Sequence, residues 1–212
     1  TSTLAIGNAH QFQVVGKYLY AAVQNSSGLN GFKIVDVSNP RTPVLIHANT
    51  GPGNCSSYCG VYVSGKYAYY VLGGTGMIVF DITNPLAPRV TDSLVVDARL
   101  VNDVMTTPDG RIGVLSREGA STRKNGLVFF DAADPRHPRV LSEFPEPVSG
   151  GVHSAFVSDH YVFATDDATG SLRIIDFQDP RHPVQVARWE GARPTSRPYE
   201  VEFLNVIPER YL

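Results

Sequence analysis

The chain has 212 residues, of which 42% are hydrophobic, and its 18 basic residues nearly balance its 20 acidic residues. Because the net charge is −2 and the basic residues are scattered, the composition excludes a nucleic-acid-binding surface built on clustered positive charge. No run of about 18 apolar residues is present, so the sequence predicts no membrane insertion within this segment.

The chain begins with two short strands joined at a Gly-Lys turn. The first copy is FQVVGKYLYAAV at 12–23, and VYVSGKYAYYVL follows at 61–72. In each copy a short alternating run meets the turn and is followed by a run rich in Tyr and Val, which predicts a hairpin of half-buried strands. Later copies turn at 108–110 (PDG) and 158–160 (SDH).

An apolar strand that ends in aspartate follows each hairpin, and prolines stand four and seven residues after that aspartate. The four copies are GFKIVDVSNPRTP (31–43), GMIVFDITNPLAP (76–88), GLVFFDAADPRHP (126–138) and SLRIIDFQDPRHP (171–183). Their aspartates are 45, 50 and 45 residues apart. A period of this size with all-strand patterning predicts an all-β fold, a β-propeller built of four-stranded antiparallel blades.

Each blade should contain four strands, which in the first copy we place at 12–15, 18–23, 32–37 and 44–48. We assign a turn-forming role to the repeated aspartates and first prolines, since proline presets the turn and the carboxylate accepts backbone N–H groups. These residues are Asp36, Pro40, Asp81, Pro85, Asp131, Pro135, Asp176 and Pro180. The loops between second and third strands vary in length, so one face should carry the adjustable surface.

The repeats predict a single domain with about four complete blades and partial blades at both ends. The complete blades lie at approximately 8–50, 57–95, 101–145 and 152–190. An outer strand is expected at 3–6, and a partial fifth blade at 198–212. Because an open sheet edge invites aggregation, we expect this chain to be a fragment of a longer propeller.

The segments GFKIVDVSNPRTPVLI and GKYAYYV resemble those of the LVIVD-repeat proteins of bacteria and archaea, and the likeness extends over essentially the whole chain. This resemblance implies a propeller and an extracytoplasmic location: secreted, periplasmic or at the cell surface. It implies no general activity that could be transferred to this chain.

Both cysteines, Cys55 and Cys59, stand in the connector TGPGNCSSYCG. They are candidates for a small disulfide loop in an oxidising compartment, and a pair of free thiols is the alternative. Tyr58 beside them, and Trp189, are not taken as markers of a site.

Residues at the start of each first strand should face the propeller axis. Alignment of the hairpins places different polar or reactive side chains there: His10, Cys59, Asn102, His153 and Tyr199. This pattern predicts a ligand site at the channel mouth. Two imidazoles could also bind a transition metal, and the acidic loop at 165–170 could hold Ca²⁺, although neither has a recognised ligand spacing. The weak metal candidates are His10, His153, Asp166 and Asp167.

The sequence favours a non-catalytic exported or surface propeller that binds a protein, glycan or small molecule at the channel mouth. The alternative is an enzyme with metal or acid/base groups on the same axis, and a third interpretation is an adhesion module that uses outer blade surfaces. No catalytic residue is assigned, because the sequence contains no nucleophile elbow and no phosphate-binding glycine loop. The sequence identifies no cofactor, and a protein without any cofactor is one of the alternatives.

Overall fold

The computed structural model describes residues 3–24, 31–49, 58–74 and 76–190. These residues form sixteen strands in four antiparallel four-stranded sheets, and the strands of each sheet follow chain order. Blade 1 comprises β1 (Asn8–Val15), β2 (Tyr18–Gln24), β3 (Gly31–Asp36) and β4 (Val44–Ala48). Blade 2 comprises β5 (Val61–Ser64), β6 (Tyr67–Val71), β7 (Gly76–Asp81) and β8 (Arg89–Val95).

The second half of the chain repeats this arrangement. Blade 3 comprises β9 (Leu100–Thr106), β10 (Ile112–Glu118), β11 (Gly126–Asp131) and β12 (Arg139–Phe144). Blade 4 comprises β13 (Val152–Ser158), β14 (Tyr161–Asp166), β15 (Ser171–Asp176) and β16 (Val184–Trp189). The predicted strands of the first copy are therefore found, with the first strand beginning four residues earlier, at Asn8.

The third strand of each of the first three blades is the most deeply buried. In β3, β7 and β11, five consecutive residues are buried. Side chains of a strand point alternately to its two faces, so such a run means that both faces are covered by neighbouring blades. The outermost strands carry many exposed residues, as expected at the rim.

Apolar layers between successive blades hold the body together. Phe32 and Phe80 stack at 4.8 Å between blades 1 and 2. Tyr69 and Phe130 pack between blades 2 and 3, and Phe129 contacts Phe177 between blades 3 and 4. Three such layers between four blades are the radial packing that the repeat predicts.

The first strands of successive blades lie side by side at the hub, where side chains tie one strand to the next. The carboxylate Oδ2 of Asp103 accepts hydrogen bonds from Ala155 N (2.9 Å) and Ser154 Oγ (3.0 Å). In the same way Gln13 Oε1 accepts from Val63 N at 2.6 Å. These bonds satisfy the N–H groups of Ala155 and Val63 at the open edges of β13 and β5.

The repeated aspartates close the turns at the opposite end of the blades. Each accepts the backbone N–H two residues later, at 2.8 Å from Ser38 to Asp36 and at 2.8 Å from Thr83 to Asp81. The Asn or Asp before the first proline also accepts a hydrogen bond from the backbone N–H two residues after it. Asn39 Oδ1, for example, accepts from Arg41 N at 3.1 Å. The four carboxylates therefore lie in separate turns.

The two ends of the chain add no described strand. Residues 3–7 lie outside any strand, so the outer strand predicted at 3–6 is not found. The segment 198–212, predicted to begin a fifth blade, lies outside the described residues. The single domain and its fifth blade stay predictions. Within the described ranges, no helix has the length and apolarity needed to cross a bilayer.

Candidate functional site

Three of the predicted axial residues lie in irregularities of the innermost strands. Pairing of β1 with β2 shifts register at His10, pairing of β9 with β10 shifts around Asn102, and pairing of β13 with β14 shifts around His153. Such β-bulges insert an extra residue and turn its side chain out of the regular alternation. The bulges therefore direct these three polar side chains to the face of the propeller that carries the variable loops.

The backbone of two bulges is satisfied by buried hydroxyl groups of the second strand. Asp103 N donates to Ser116 Oγ at 3.0 Å, and Ser154 N donates to Thr165 Oγ1 at 2.9 Å. Ser116 and Thr165 are 0% and 5% exposed. Because these hydroxyls replace the missing ladder bonds, each bulge is a fixed feature of its blade.

Cys59 differs from the residues with which it was aligned. The described pairing of β5 with β6 runs without a register shift, so Cys59 is not carried on a bulge. Its side chain is buried in the apolar layer between blades 1 and 2, and it is disulfide-bonded. Cys59 therefore offers no thiol to a ligand. Cys55 lies outside the described residues, so the Cys55–Cys59 pairing stays a prediction.

A cluster of four polar side chains forms where blades 3 and 4 meet at the variable-loop face. We name it the hub cluster: Asn102, Glu118, His153 and Asp167. His153 Nδ1 lies 2.9 Å from Glu118 Oε2, and Asn102 Nδ2 donates to the carbonyl oxygen of His153 at 3.4 Å. The side chains of His153 and Glu118 are 20% and 11% exposed, so they are largely buried and keep a small solvent-accessible surface.

Two carboxyl groups of the hub cluster share one proton. Burial, the hydrogen bond with Glu118 and the Glu118 charge raise the pKa of Asp167 to about 7. Burial also acts to raise the pKa of Glu118, but hydrogen bonds with His153, Asp167 and Asn102 outweigh it and lower that pKa to about 2. Near neutral pH Glu118 is thus the anion, and Asp167 is the group that holds or releases a proton.

The hydrogen bond with Glu118 raises the pKa of His153, in opposition to burial. Because Glu118 is the anion, the Nδ1–H of His153 donates to the Glu118 carboxylate. Burial raises the pKa of the neighbouring Asp103 carboxyl as well, against the hydrogen bonds that it accepts from Ala155 and Ser154. Ionisable groups with displaced pKa values gathered in one place are typical of functional sites.

Gly151 allows the two carboxyl-bearing segments to approach each other. Its backbone forms a bridge to Glu118, and Asp167 N donates to its carbonyl at 3.0 Å. The φ of Gly151 is +118°, and an added Cβ would lie 2.9 Å from Glu118 Cβ and 3.0 Å from Asp167 Oδ2. Only glycine fits here without displacing the hub cluster.

Tyr58 links the two histidines that the sequence predicts at the axis. Its ring lies edge-on to His10 and to His153, with centroid distances of 5.7 Å to each. His10 itself hydrogen-bonds Gln24 through Nε2 at 2.8 Å. Both histidines therefore contact one aromatic ring, and His10 lies at the rim of the hub cluster.

The remaining candidates take other positions. Asp166 forms a buried ion pair of 2.6 Å with Arg173, so its carboxylate has a partner. Tyr199 lies outside the described residues. Among the residues described, no group of three or more His, Cys, Asp or Glu side chains could hold a metal ion. Sequence reasoning missed Glu118 and set Tyr58 aside. The hydroxyl residues Ser116 and Thr165, near the ends of their second strands, were the available signal for the bulges in blades 3 and 4.

A family profile of the LVIVD repeat matches residues 6–49 and 57–94. The chain carries LVIVD repeats. The predicted family is thereby confirmed, and the two matched segments coincide with blades 1 and 2. No curated protein matches the sequence of this LVIVD-repeat protein.

Solved structures confirm the propeller fold at low sequence identity. A Lactobacillus plantarum protein is 14% identical with a TM-score of 0.71, covering 91% of this chain and 59% of its own. The Pseudomonas aeruginosa periplasmic gluconolactonase PpgL is 14% identical with a TM-score of 0.69, and the match covers 89% of this chain and 59% of PpgL. The Myceliophthora thermophila Cps50 (Swd1) β-propeller domain is 16% identical with a TM-score of 0.62, and the match covers 84% of this chain and 56% of that domain. The LVIVD-repeat protein thus spans less than two thirds of the structures it matches.

Proposed function

We propose that this LVIVD-repeat protein binds a small polar, hydroxyl-rich molecule at the hub cluster. The observation that carries the proposal is the convergence of His153, Glu118 and Asp167 from two blades at the open end of the hub. Polar side chains that share protons and remain partly open to solvent are suited to exchange hydrogen bonds with hydroxyl groups of a ligand.

The hub cluster offers both kinds of hydrogen-bonding group at short range. Glu118 accepts hydrogen bonds, protonated Asp167 can donate, and the imidazole of His153, whose pKa is raised by its hydrogen bond with Glu118, lies beside them. The bulges and Gly151 fix the backbone beneath these side chains, so little ordering is needed on binding. Variable loops around the cluster would supply selectivity.

Binding can be tested with neutral sugars as probes. Titration of D-glucose and related neutral sugars into the protein should shift the NMR signals of His153 and Asn102 in a saturable way. Glu118→Gln should abolish the shift. Glu190→Gln, which alters an exposed carboxylate paired with Arg188 at the end of the outermost strand of blade 4, should not. Absence of saturable shifts at the hub across the sugar panel would contradict the proposal.

A second candidate is an acid/base enzyme at the same place. The group that favours it is Asp167, because a carboxyl with a pKa of about 7 can both give and take a proton near neutral pH. The similar structures include a periplasmic gluconolactonase and a putative 6-phosphogluconolactonase from Bacteroides fragilis, the latter 16% identical with a TM-score of 0.68. Lactone hydrolysis is therefore the first reaction to assay.

In such a hydrolysis water would attack the lactone carbonyl, the ring C–O bond would break, and the departing oxygen would take a proton. Asp167 would donate that proton and regain one from the attacking water. Asp167→Asn should then abolish lactone hydrolysis but keep sugar binding. Equal activity of the variant and the wild type, or no activity of the wild type, leaves binding as the function of the hub.

We also propose that the protein is exported from the cytoplasm. The family resemblance and the disulfide-bonded Cys59 both support an oxidising, extracytoplasmic compartment. Fractionation of cells that express the complete gene should place the protein in the periplasm, at the surface or in the medium. Recovery of the protein in the cytosol with Cys59 reduced would contradict it.

A further inference from the structure

An open groove with a different chemistry lies on the variable-loop face between blades 2 and 3. Its volume is about 370 Å³, and its lining residues are Gly74, Arg99, Ala120, Ser121, Thr122 and Arg123. We name it the arginine groove. Arg99 directly precedes β9, and the other two loops that line it follow β6 and β10. The arginine groove therefore lies on the opposite side of blade 3 from Gly151 and Asp167.

Both arginines of the groove lack a carboxylate partner among the residues that the structure describes, in contrast to Arg173 and Arg188. Arg123 Nη1 donates to the carbonyl of Ala98 at 2.9 Å, which orients its guanidinium. One donor of Arg123 is thereby used, and its other N–H groups stay available. Two uncompensated guanidinium groups beside one groove form a positive site on a chain whose net charge is −2.

The loop that carries Arg123 is held in shape by Asn125. Asn125 Oδ1 accepts from Ala120 N at 2.9 Å, and Asn125 Nδ2 donates to the carbonyl of Ser149 at 2.8 Å. Gly119 makes room for the second arginine, because a Cβ there would lie 2.5 Å from Arg99 Nη1. The groove is therefore preorganised rather than assembled by its ligand.

We propose that the arginine groove binds an oxyanion group, phosphate or carboxylate, of a small-molecule ligand. Guanidinium groups donate parallel hydrogen bonds to such oxyanions, and the hydroxyls of Ser121 and Thr122 add neutral donors at the same wall. This site is separate from the hub cluster and does not depend on the function proposed there.

The proposal is tested by calorimetric and NMR titration of the purified protein with inorganic phosphate and, separately, with acetate at low ionic strength. Saturable binding should shift the backbone signals of 119–123. Arg99→Gln and Arg123→Gln should each weaken binding at least about tenfold, the effect of losing one charge-assisted contact. Arg99→Gln is the cleaner variant, because Arg123 also supports Ala98.

Two control variants show whether the anion binds at the arginine groove itself. Arg139→Gln removes an exposed arginine at the start of β12, at the aspartate-turn end, and should leave affinity unchanged. Glu190→Gln, at an exposed carboxylate of blade 4, should also leave it unchanged. Binding of phosphate alone assigns a phosphate group to the ligand, and binding of acetate assigns a carboxylate. If neither anion binds, or if Arg139→Gln weakens binding as much as Arg99→Gln, the proposal is wrong.

Discussion

His153 and Glu118 form a hydrogen bond of 2.9 Å across the boundary between blades 3 and 4. They lie 35 residues apart, at the start of β13 and at the end of β10. Because this bond favours the charged form of both partners, it links the proton on the imidazole to the charge of the carboxylate. The bond therefore makes the titration of His153 a direct reporter of the hub cluster.

Replacement of Glu118 by Gln should lower the pKa of His153. The hydrogen bond with Glu118 is the largest influence that raises that pKa, and burial, which lowers it, would remain. We expect the pKa to fall, and the fall is measured by NMR from the ring proton of His153 as pH is varied. Glu190→Gln serves as the control and should leave the His153 curve in place. Identical curves for wild type and Glu118→Gln would contradict the assignment.

The protein should lose stability as pH rises through neutrality. Burial and Glu118 raise the pKa of Asp167 from 3.8 to about 7, so the folded chain keeps a proton that the unfolded chain releases. The raised pKa of His153 acts in the same direction. Stability from both groups is complete below their unfolded pKa values and is lost as pH rises through their folded values.

Asp167→Asn, which imitates the protonated carboxyl, should flatten this pH dependence. Relative to wild type, the variant should gain up to about 4 kcal/mol in free energy of unfolding between pH 4 and pH 8, measured with urea, because each pKa unit is worth about 1.4 kcal/mol before solvent screening reduces it. Glu190→Gln, at an exposed carboxylate, should follow the wild-type curve at both pH values. Parallel curves for Asp167→Asn and wild type would show that the proton is not held at Asp167.

Gly151→Ala should destabilise the protein and disrupt the hub cluster. Its new Cβ would lie 2.9 Å from Glu118 Cβ, at a φ of +118° that is unfavourable for alanine. We expect a loss of about 2–3 kcal/mol in urea unfolding, from backbone strain plus crowding. Gly65→Ala is the matched control: its φ is also positive, at +58°, but nothing lies within 4 Å of the added Cβ. An equal cost at both positions would show that crowding beside Glu118 is absent.

The buried pair of Arg173 and Asp166 should contribute to stability rather than to ligand binding. Their side chains are 5% and 1% exposed, and the atoms lie 2.6 Å apart. Arg173→Met would leave a buried carboxylate unpaired and should cost about 3–5 kcal/mol in urea unfolding. Arg188→Met removes an exposed partner of Glu190 and should cost at most about 1 kcal/mol. A small cost for Arg173→Met would contradict this role.

The propeller could be predicted because every repeat contains the residues that its turn requires. Each aspartate accepts a hydrogen bond from the backbone two residues later, as Asp36 does from Ser38, so the turn needs the same residues in every copy. The family and the four-stranded blades follow from that repeat and are confirmed. The alignment also placed Asn102 and His153 at the hub, where they do lie close together.

The partners of His153 could not be predicted in the same way. Glu118 ends a second strand in one blade only, and its contact with His153 depends on bulges in β9 and β13 that the repeat pattern does not show. Cys59 was aligned with the histidines although its strand lacks a bulge, and so its side chain enters the apolar layer. Tyr58 was set aside as an unreliable marker, yet its ring contacts both His10 and His153.

The central claim is that Glu118 and Asp167 share one proton at the hub, and carboxyl-carbon NMR across a pH titration tests it most directly. With side-chain carboxyl carbons labelled, Glu118 should stay ionised down to strongly acidic pH, while Asp167 should titrate near neutrality. If both carboxyl groups instead titrate independently near pH 4, the hub cluster holds no shared proton and the proposed site is contradicted.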